Sequence, residues 1–335
     1  MKSVYLKDKG VLEYAPDLIE VPQPRSGQVL IKVECAVINP SDIYMMQGDY
    51  NGEFKYPLTP GAEGSGTVVA SGGGLWAWSL VGKRVGFTRM AERGGKFTRG
   101  GSYAEYIVTN AYQCVTLDDN VSWEQGACSF VNPITAVGLL DRCKHFGATA
   151  VIQTGAASSL GRMIIKLFRE QGVTLVNIVR RKEQVELLKK EEGADHVLNS
   201  TDEDFDEQLK KKIEDLNCTV ALEAVSGEMP GRILQFLPRF GVCISYGQLS
   251  EKKIGPMNPA IFIFKSQRLE SFLLPTWLST KSLWGQWGAM SMSKPLVQKV
   301  VVSKCFGLHQ IHEALEFYKG NMTAGKVFLK PSLTE

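Results

Sequence analysis

No Cys-x-x-Cys pair occurs in the chain, and its seven cysteines, at 35, 114, 128, 143, 218, 243 and 305, never lie closer than 14 residues apart. A zinc ribbon or a redox dithiol therefore has no sequence support. An odd set of scattered thiols suits small buried residues in a reducing compartment. Long apolar runs are missing too. Stretches such as Ala260-Ile261-Phe262-Ile263-Phe264 fall far short of the roughly 20 residues that a membrane span needs. Charge of one sign is scarce: 38 Lys and Arg against 35 Asp and Glu leave a net charge of +3. The strongest basic runs, Arg180-Arg181-Lys182 and Lys210-Lys211-Lys212, are three residues long. Nucleic acid and an anionic membrane surface are not expected partners. The opening residues lack the apolar core of a signal peptide, and Asp8 speaks against a transit peptide. The expected location is cytoplasmic, or mitochondrial if a targeting segment has been removed.

What is present divides in two. A chain of 335 residues suggests about two domains. Up to about residue 125, strand-like runs (Val29–Val33, Gly66–Ala70, Tyr103–Val108) are punctuated by Gly and Pro, as in Thr59-Pro60-Gly61 and Ser71-Gly72-Gly73-Gly74. Short strands with many turns predict a partly open barrel. Trp123 to Leu140 reads as helical, interrupted by Asn132-Pro133. Strands and helices then alternate. Thr149–Thr154 is a buried strand, and Leu160, Met163, Ile164, Leu167 and Phe168 take the spacing of an amphipathic helix. Val173–Val179 is a second strand, and Lys182–Glu192 is a helix closed by Gly193. A helix over 203–216 and strands at Cys218–Ala224 and Gly241–Tyr246 follow, which predicts a parallel sheet. A helix at Leu308–Lys319 and a strand at Lys326–Leu329 close the chain. Both chain ends thus build the barrel domain (1–125 and 270–335), with the parallel-sheet domain (126–269) inserted.

The most informative segment is Gln153-Thr154-Gly155-Ala156-Ala157-Ser158-Ser159-Leu160-Gly161, between the buried strand and the amphipathic helix. A tight turn there aims helix N–H groups above the strand, where a pyrophosphate is the usual occupant. Strict Gly-x-Gly-x-x-Gly is absent, and a tight turn without a ligand is the competing reading. NAD-binding folds place an acid at the end of the second strand, on the ribose 2′-hydroxyl. Here that end reads Asn177-Ile178-Val179-Arg180-Arg181-Lys182. Two guanidinium groups suit a 2′-phosphate, so NADPH is the expected cofactor. A solvated basic helix start is the alternative.

Over nearly its whole length the chain resembles the medium-chain dehydrogenase/reductase superfamily. The likeness rests on Ile38-Asn39-Pro40-Ser41-Asp42, Pro60-Gly61-Ala62-Glu63-Gly64-Ser65-Gly66 and Gly82-Lys83-Arg84-Val85. It continues through Gly101–Tyr106, Val131-Asn132-Pro133-Ile134-Thr135-Ala136, the loop at 154–161, Ser245-Tyr246-Gly247 and Gly325–Leu329. The resemblance implies a GroES-like β-barrel domain, a Rossmann doubly wound domain, a nicotinamide in the cleft between them and a homodimer. It also implies cofactor contacts at Asn39, Asn132, Thr135, Ala157, Ser158, Ser159, Leu160, Gly161, Arg180, Arg181, Tyr246 and Gly247. Zinc-dependent members carry Cys-His where this chain has Asn39-Pro40, and Gly-His-Glu where it has Gly61-Ala62-Glu63. The four-cysteine zinc lobe is missing as well, so no metal is expected. The pair His309-x-x-His312 lacks a third ligand.

The zinc-free branches are quinone oxidoreductases and 2-enoyl thioester reductases, and Asn39–Tyr50 looks more like the second. Hydride delivered to the β carbon of a C=C conjugated to a carbonyl or thioester leaves an enolate that needs a hydrogen-bond donor and then a proton. Tyr50 is the candidate catalytic donor, and Asp42 reads as a structural acceptor. Phe262, Phe264, Phe272, Trp277, Trp284 and Trp287 could line a pocket or bury an interface. Arg89, Arg93, Lys96 and Arg99 suggest a basic rim for a phosphate-bearing thioester carrier. The expected activity is zinc-independent, NADPH-dependent reduction of an enoyl thioester, an enone or a quinone. The alternative is a non-catalytic accessory subunit that keeps NADPH as a structural ligand.

Overall fold

The computed structural model describes residues 1–17, 19–48, 56–89, 100–321 and 324–333. The chain forms two compact units, Met1–Pro133 with Ser293–Glu335, and Ile134–Met292.

In the first unit the long strand Gln28–Val37 is central. It pairs antiparallel with Glu63–Ser71 on one side and with Tyr106–Asn110 and Lys326–Leu329 on the other. The sheet continues through Arg84–Thr88 to Cys114–Thr116, and through Lys326–Leu329 to Val302–Phe306. Register shifts at Leu30/Ile31 and Val33/Cys35 let one strand serve several partners, since a bulge bends and twists a strand. Buried Ile31, Val33, Ile38, Phe87, Tyr103, Ile107 and Val327 form the core. Tyr103 precedes its strand instead of opening it. Its backbone N–H donates to the Pro60 carbonyl, and the fully buried ring turns its hydroxyl to Asp42.

In the second unit six parallel strands lie in the spatial order His196–Asn199, Thr174–Val179, Ala150–Gln153, Val220–Glu223, Val242–Ser245 and Arg268–Ser271. In chain order this is 3-2-1-4-5-6, the doubly wound arrangement whose order reverses beside the first strand. Strands one, two, four and five are almost wholly buried, which explains their unbroken apolar reading. The helix Ser159–Glu170 buries Met163, Ile164, Leu167 and Phe168, the stripe its spacing predicts.

Two features depart from the sequence reading. The apolar run from Trp123 is two helices, Trp123–Ala127 and Val131–His145. Pro133 does not interrupt the second, because it sits in the first turn, where a helix needs no N–H from it. The sheet also continues beyond residue 269. Arg268–Ser271 pairs with Val242–Ser245, and Trp277 and Lys281 both bond to Asp141 at 2.8 and 2.7 Å. No helix among the described residues is long and apolar enough to cross a membrane.

Candidate functional site

Two buried polar clusters carry the candidate chemistry, one in each unit. The first surrounds Asn39. Val37 faces Phe328 and Ala36 faces Leu329 across an antiparallel pair. Extending that register puts Asn39 opposite Lys326, and the Ile38 N–H donates to the Val327 carbonyl at 3.0 Å between them. Lys326 Nζ donates to Asn39 Oδ1 at 2.7 Å, and Asn39 Nδ2 donates to Glu63 Oε1 at 2.8 Å. The other Glu63 oxygen accepts from the backbone N–H groups of Phe130 and Val131, at 3.0 and 2.9 Å. A carboxylate on the first N–H groups of the helix Val131–His145 is favoured by the helix dipole. All three side chains are buried. Burial pushes the Glu63 carboxyl up, and Lys326 opposes that push.

Asp42, in the helix Pro40–Gln47, adjoins this network. Its Oδ2 accepts from the Asn39 N–H at 2.9 Å and from the Tyr103 hydroxyl at 3.1 Å. Burial raises its pKa to about 6 against the pull of these two bonds. Both bonds fit the structural-acceptor reading of Asp42.

The second cluster lies at the carboxyl ends of the first, second, fourth and fifth parallel strands, where ligands bind in such sheets. Ser158 caps the helix Ser159–Glu170, its Oγ accepting from the Gly161 N–H at 3.1 Å. A Cβ on Gly161 would lie 2.5 Å from the Ala156 carbonyl oxygen, so only glycine lets the helix pack this closely on its own loop. Gln153 fastens the same turn, donating to the Gly161 carbonyl at 3.2 Å and to Asn177 Oδ1 at 2.6 Å. Glu223 accepts from the N–H groups of Val225 and Ser226 and from the Thr154 hydroxyl. Burial raises its pKa and these donors oppose the rise. Tyr246 follows the fifth strand. Its buried hydroxyl has no hydrogen-bond partner among the described residues, and burial together with Glu223 raises its pKa. Arg180 and Arg181 stand exposed after the second strand, Arg181 at the N-cap of the helix Lys182–Glu192.

The structure therefore gathers Ala157, Ser158, Ser159, Leu160, Gly161, Tyr246 and Gly247 on the strand-end side of the sheet, with Arg180 and Arg181 beyond the neighbouring strand. Asn39 lies in the buried network, and Asn132 follows the Val131 N–H that Glu63 holds. Thr135 is buried one turn further along that helix. Tyr50 lies outside the described residues, as do Arg93, Lys96 and Arg99. Arg89 is not a surface rim residue: it is 4% exposed, and its Nη1 meets Met45 Sδ at 2.9 Å. The aromatics do not form one wall. Phe272 and Trp277 are buried around Gly138, whereas Phe264, Trp284 and Trp287 are exposed.

At the positions where zinc-dependent members hold metal, Asn39 is bonded as above, Pro40 opens a helix, and the Ala62 carbonyl accepts from the Arg89 N–H. Among the described residues no three His, Cys, Asp or Glu side chains group to hold a metal. Sequence reasoning quoted Glu63 and Lys326 only as motif letters and gave Gln153 and Glu223 no role. An acid and a lysine in otherwise apolar strand segments were the available signal, since buried charges need partners.

Residues 25–119 match the model of the alcohol dehydrogenase GroES-like domain, and residues 159–286 match that of the zinc-binding dehydrogenases. A mitochondrial enoyl-acyl-carrier-protein reductase of Caenorhabditis elegans is 30% identical over 260 residues, 76% of this chain and 71% of its own. A quinone oxidoreductase of Pongo abelii is 26% identical over 317 residues, 93% of this chain and 91% of its own. A solved structure from Mesorhizobium loti, provisionally described as an NADPH:quinone reductase, is 34% identical with a TM-score of 0.85, covering 99% of this chain and 98% of its own. Those matches agree with the doubly wound sheet, and the chain belongs to the medium-chain dehydrogenase/reductase family, in its quinone oxidoreductase and enoyl reductase-like group.

Proposed function

We propose that the protein is an NADPH-dependent oxidoreductase that reduces, without zinc, a C=C conjugated to a carbonyl or thioester, or a quinone. The observation that carries this reading is the end of the second parallel strand. There Arg180, Arg181 and Lys182 stand exposed, with no acid before Glu183 to accept from a ribose 2′-hydroxyl. Relatives named enoyl-acyl-carrier-protein reductase and NADPH:quinone reductase support the same class.

The residues fit the cofactor. The turn Ala157–Gly161, capped by Ser158 and closed by Gly161, presents helix N–H groups to a pyrophosphate. Arg180 and Arg181 suit a 2′-phosphate. The Tyr246 hydroxyl, without a partner among the described residues, is a buried polar group that a bound ligand would satisfy. Asn39, Asn132, Thr135 and Gly247 complete the proposed contacts. When bound, NADPH supplies the hydride. The chain's own part is to hold the acceptor, exclude water and donate to the oxygen on which charge develops, the role proposed for Tyr50. Asp42 and Glu63 are engaged by structural donors and act as neither acid nor base in this reading. We also propose a homodimer, because Arg268–Ser271 ends the sheet and leaves one backbone edge unpaired within the described chain.

The test is NADPH oxidation with crotonyl thioester, simple enones and quinones, beside NADPH binding followed by fluorescence. Turnover with one class identifies the substrate. NADPH binding without turnover favours the accessory-subunit alternative, and absence of both refutes the proposal.

A further inference from the structure

We propose that the short helix Leu75–Ser79, in the first unit, docks the protein on the headgroup region of a zwitterionic lipid bilayer.

Local sequence builds this surface. Gly73 and Gly74 take φ of +111° and +95°, values that favour glycine, and turn the chain into the helix. Ala77 and Leu80, three residues apart and so on one face, are buried in the barrel core. Their neighbours are left outside. Leu75 is 90% exposed, Trp76 65% and Trp78 73%. Trp76 Nε1 donates to the Ala111 carbonyl at 3.2 Å, which fixes its indole beside the turn Ala111–Gln113 and its exposed Tyr112. Exposed Val81 extends the patch. Single apolar side chains at a surface need no explanation, but two indoles and a leucine within four residues do.

Area separates the possible occupants. From their exposed fractions the five side chains present roughly 600 Å². Each side of a stable protein interface buries about 800 Å², so a second copy of the chain would be held poorly by this patch. A bilayer sets no such threshold, because binding there grows with whatever apolar area is inserted. The indole, an apolar ring with one N–H, suits the boundary between acyl chains and headgroups.

Charge around the patch selects the lipid. No acid occurs from Gly64 to Met90, and Lys83 is exposed just past Val81. Arg84, next to it, donates to the carbonyls of Asp118 and Asp119, which brings two exposed acids to the same edge. The rim therefore carries both signs, matching the phosphate and ammonium of a zwitterionic headgroup. A net charge of +3 gives little pull toward an anionic surface. Adhesion comes from insertion of Leu75, Trp76 and Trp78.

The experiment floats the full chain with phosphatidylcholine vesicles, at physiological and at about 1 M salt. It uses neither cofactor nor acceptor, so its outcome is separate from that of the reductase reading. Wild type should float with the vesicles at both salt concentrations. Leu75→Ser with Trp78→Ser leaves Ala77, Leu80 and the Trp76 bond in place. Its melting temperature should hold while vesicle partitioning falls tenfold or more. Trp78→Phe stays apolar and should partition within about threefold of wild type. If the double variant melts early, Leu75→Ser alone decides, with a fall of about threefold or more expected. Wild type that does not float with phosphatidylcholine overturns the proposal, as does unchanged partitioning in the serine variants. Binding that requires phosphatidylserine and is lost in high salt overturns it in favour of charge. Self-association in sedimentation velocity that the double variant abolishes, without vesicle binding, overturns it in favour of a second copy.

Discussion

Replacing Asp42 with asparagine should flatten part of the pH dependence of stability in the first unit. Asp42 is 1% exposed, and burial lifts its pKa from 3.8 to about 6. In the unfolded chain the proton leaves near pH 3.8, whereas in the folded chain it stays until about pH 6. The folded state thus holds a proton that the unfolded state has lost. The stability this contributes is fully present below about pH 4 and is lost as pH rises through 6. At about 1.4 kcal/mol per pKa unit the whole effect is about 3 kcal/mol, of which about 2 kcal/mol falls between pH 4.5 and 7.5. Asparagine has no such proton but can still accept from Asn39 N–H or the Tyr103 hydroxyl. The stability of Asp42→Asn relative to wild type should therefore improve by about 2 kcal/mol across that interval. Urea unfolding read by hydrogen exchange in peptides covering Gln28–Val37 and Glu63–Ser71 confines the measurement to the first unit. Taking the difference between the two proteins cancels the contribution of Glu223, which does not act on Asp42, whereas Glu63 is coupled to Asp42 and belongs to the effect measured. A difference constant to within about 0.5 kcal/mol over this range would refute the argument, because Asp42 would then titrate alike in both states.

Further outcomes are expected. Arg180→Ala with Arg181→Ala should weaken NADPH binding by at least about tenfold while leaving NADH unchanged, since removing one charged hydrogen bond costs about 1.4 kcal/mol or more; fluorescence titration decides it. Tyr50→Phe should lower kcat roughly 10²-fold at unchanged cofactor affinity and melting temperature, the scale of losing one oxyanion donor, and a kcat within a few-fold of wild type removes Tyr50 from the mechanism. Elemental analysis should find no stoichiometric zinc, because Asn39, Pro40 and Ala62 offer it no ligand; zinc lost together with activity on chelation would contradict this. Gly161→Val should lower the melting temperature and NADPH affinity together, because its side chain meets the Ala156 backbone, and a silent substitution would show that the turn can open.

The sequence by itself determined the alternation of strands and helices after residue 149, since buried parallel strands are apolar throughout and their helices carry a 3.6-residue stripe. It also determined the basic end of the second strand and the glycine-packed turn, because these are local: each role depends on residues within one turn of chain. Helix Lys182–Glu192 and strand Lys326–Leu329 stand as their composition predicts. Only the tertiary structure decided what is not local. Asn39, Glu63, Phe130 and Lys326 meet from four segments through strand register and one helix start, and no spacing in the sequence encodes that meeting. The N–H groups freed at the break before Val131 are met by a carboxylate contributed from residue 63. Arg89 reads as a surface cation until the fold buries it beside Met45. The aromatic run 262–287 separates into core and surface only when Gly138 is seen to receive Phe272 and Trp277. A side chain's partner across the fold is set by register and packing, and those arise from the whole chain at once.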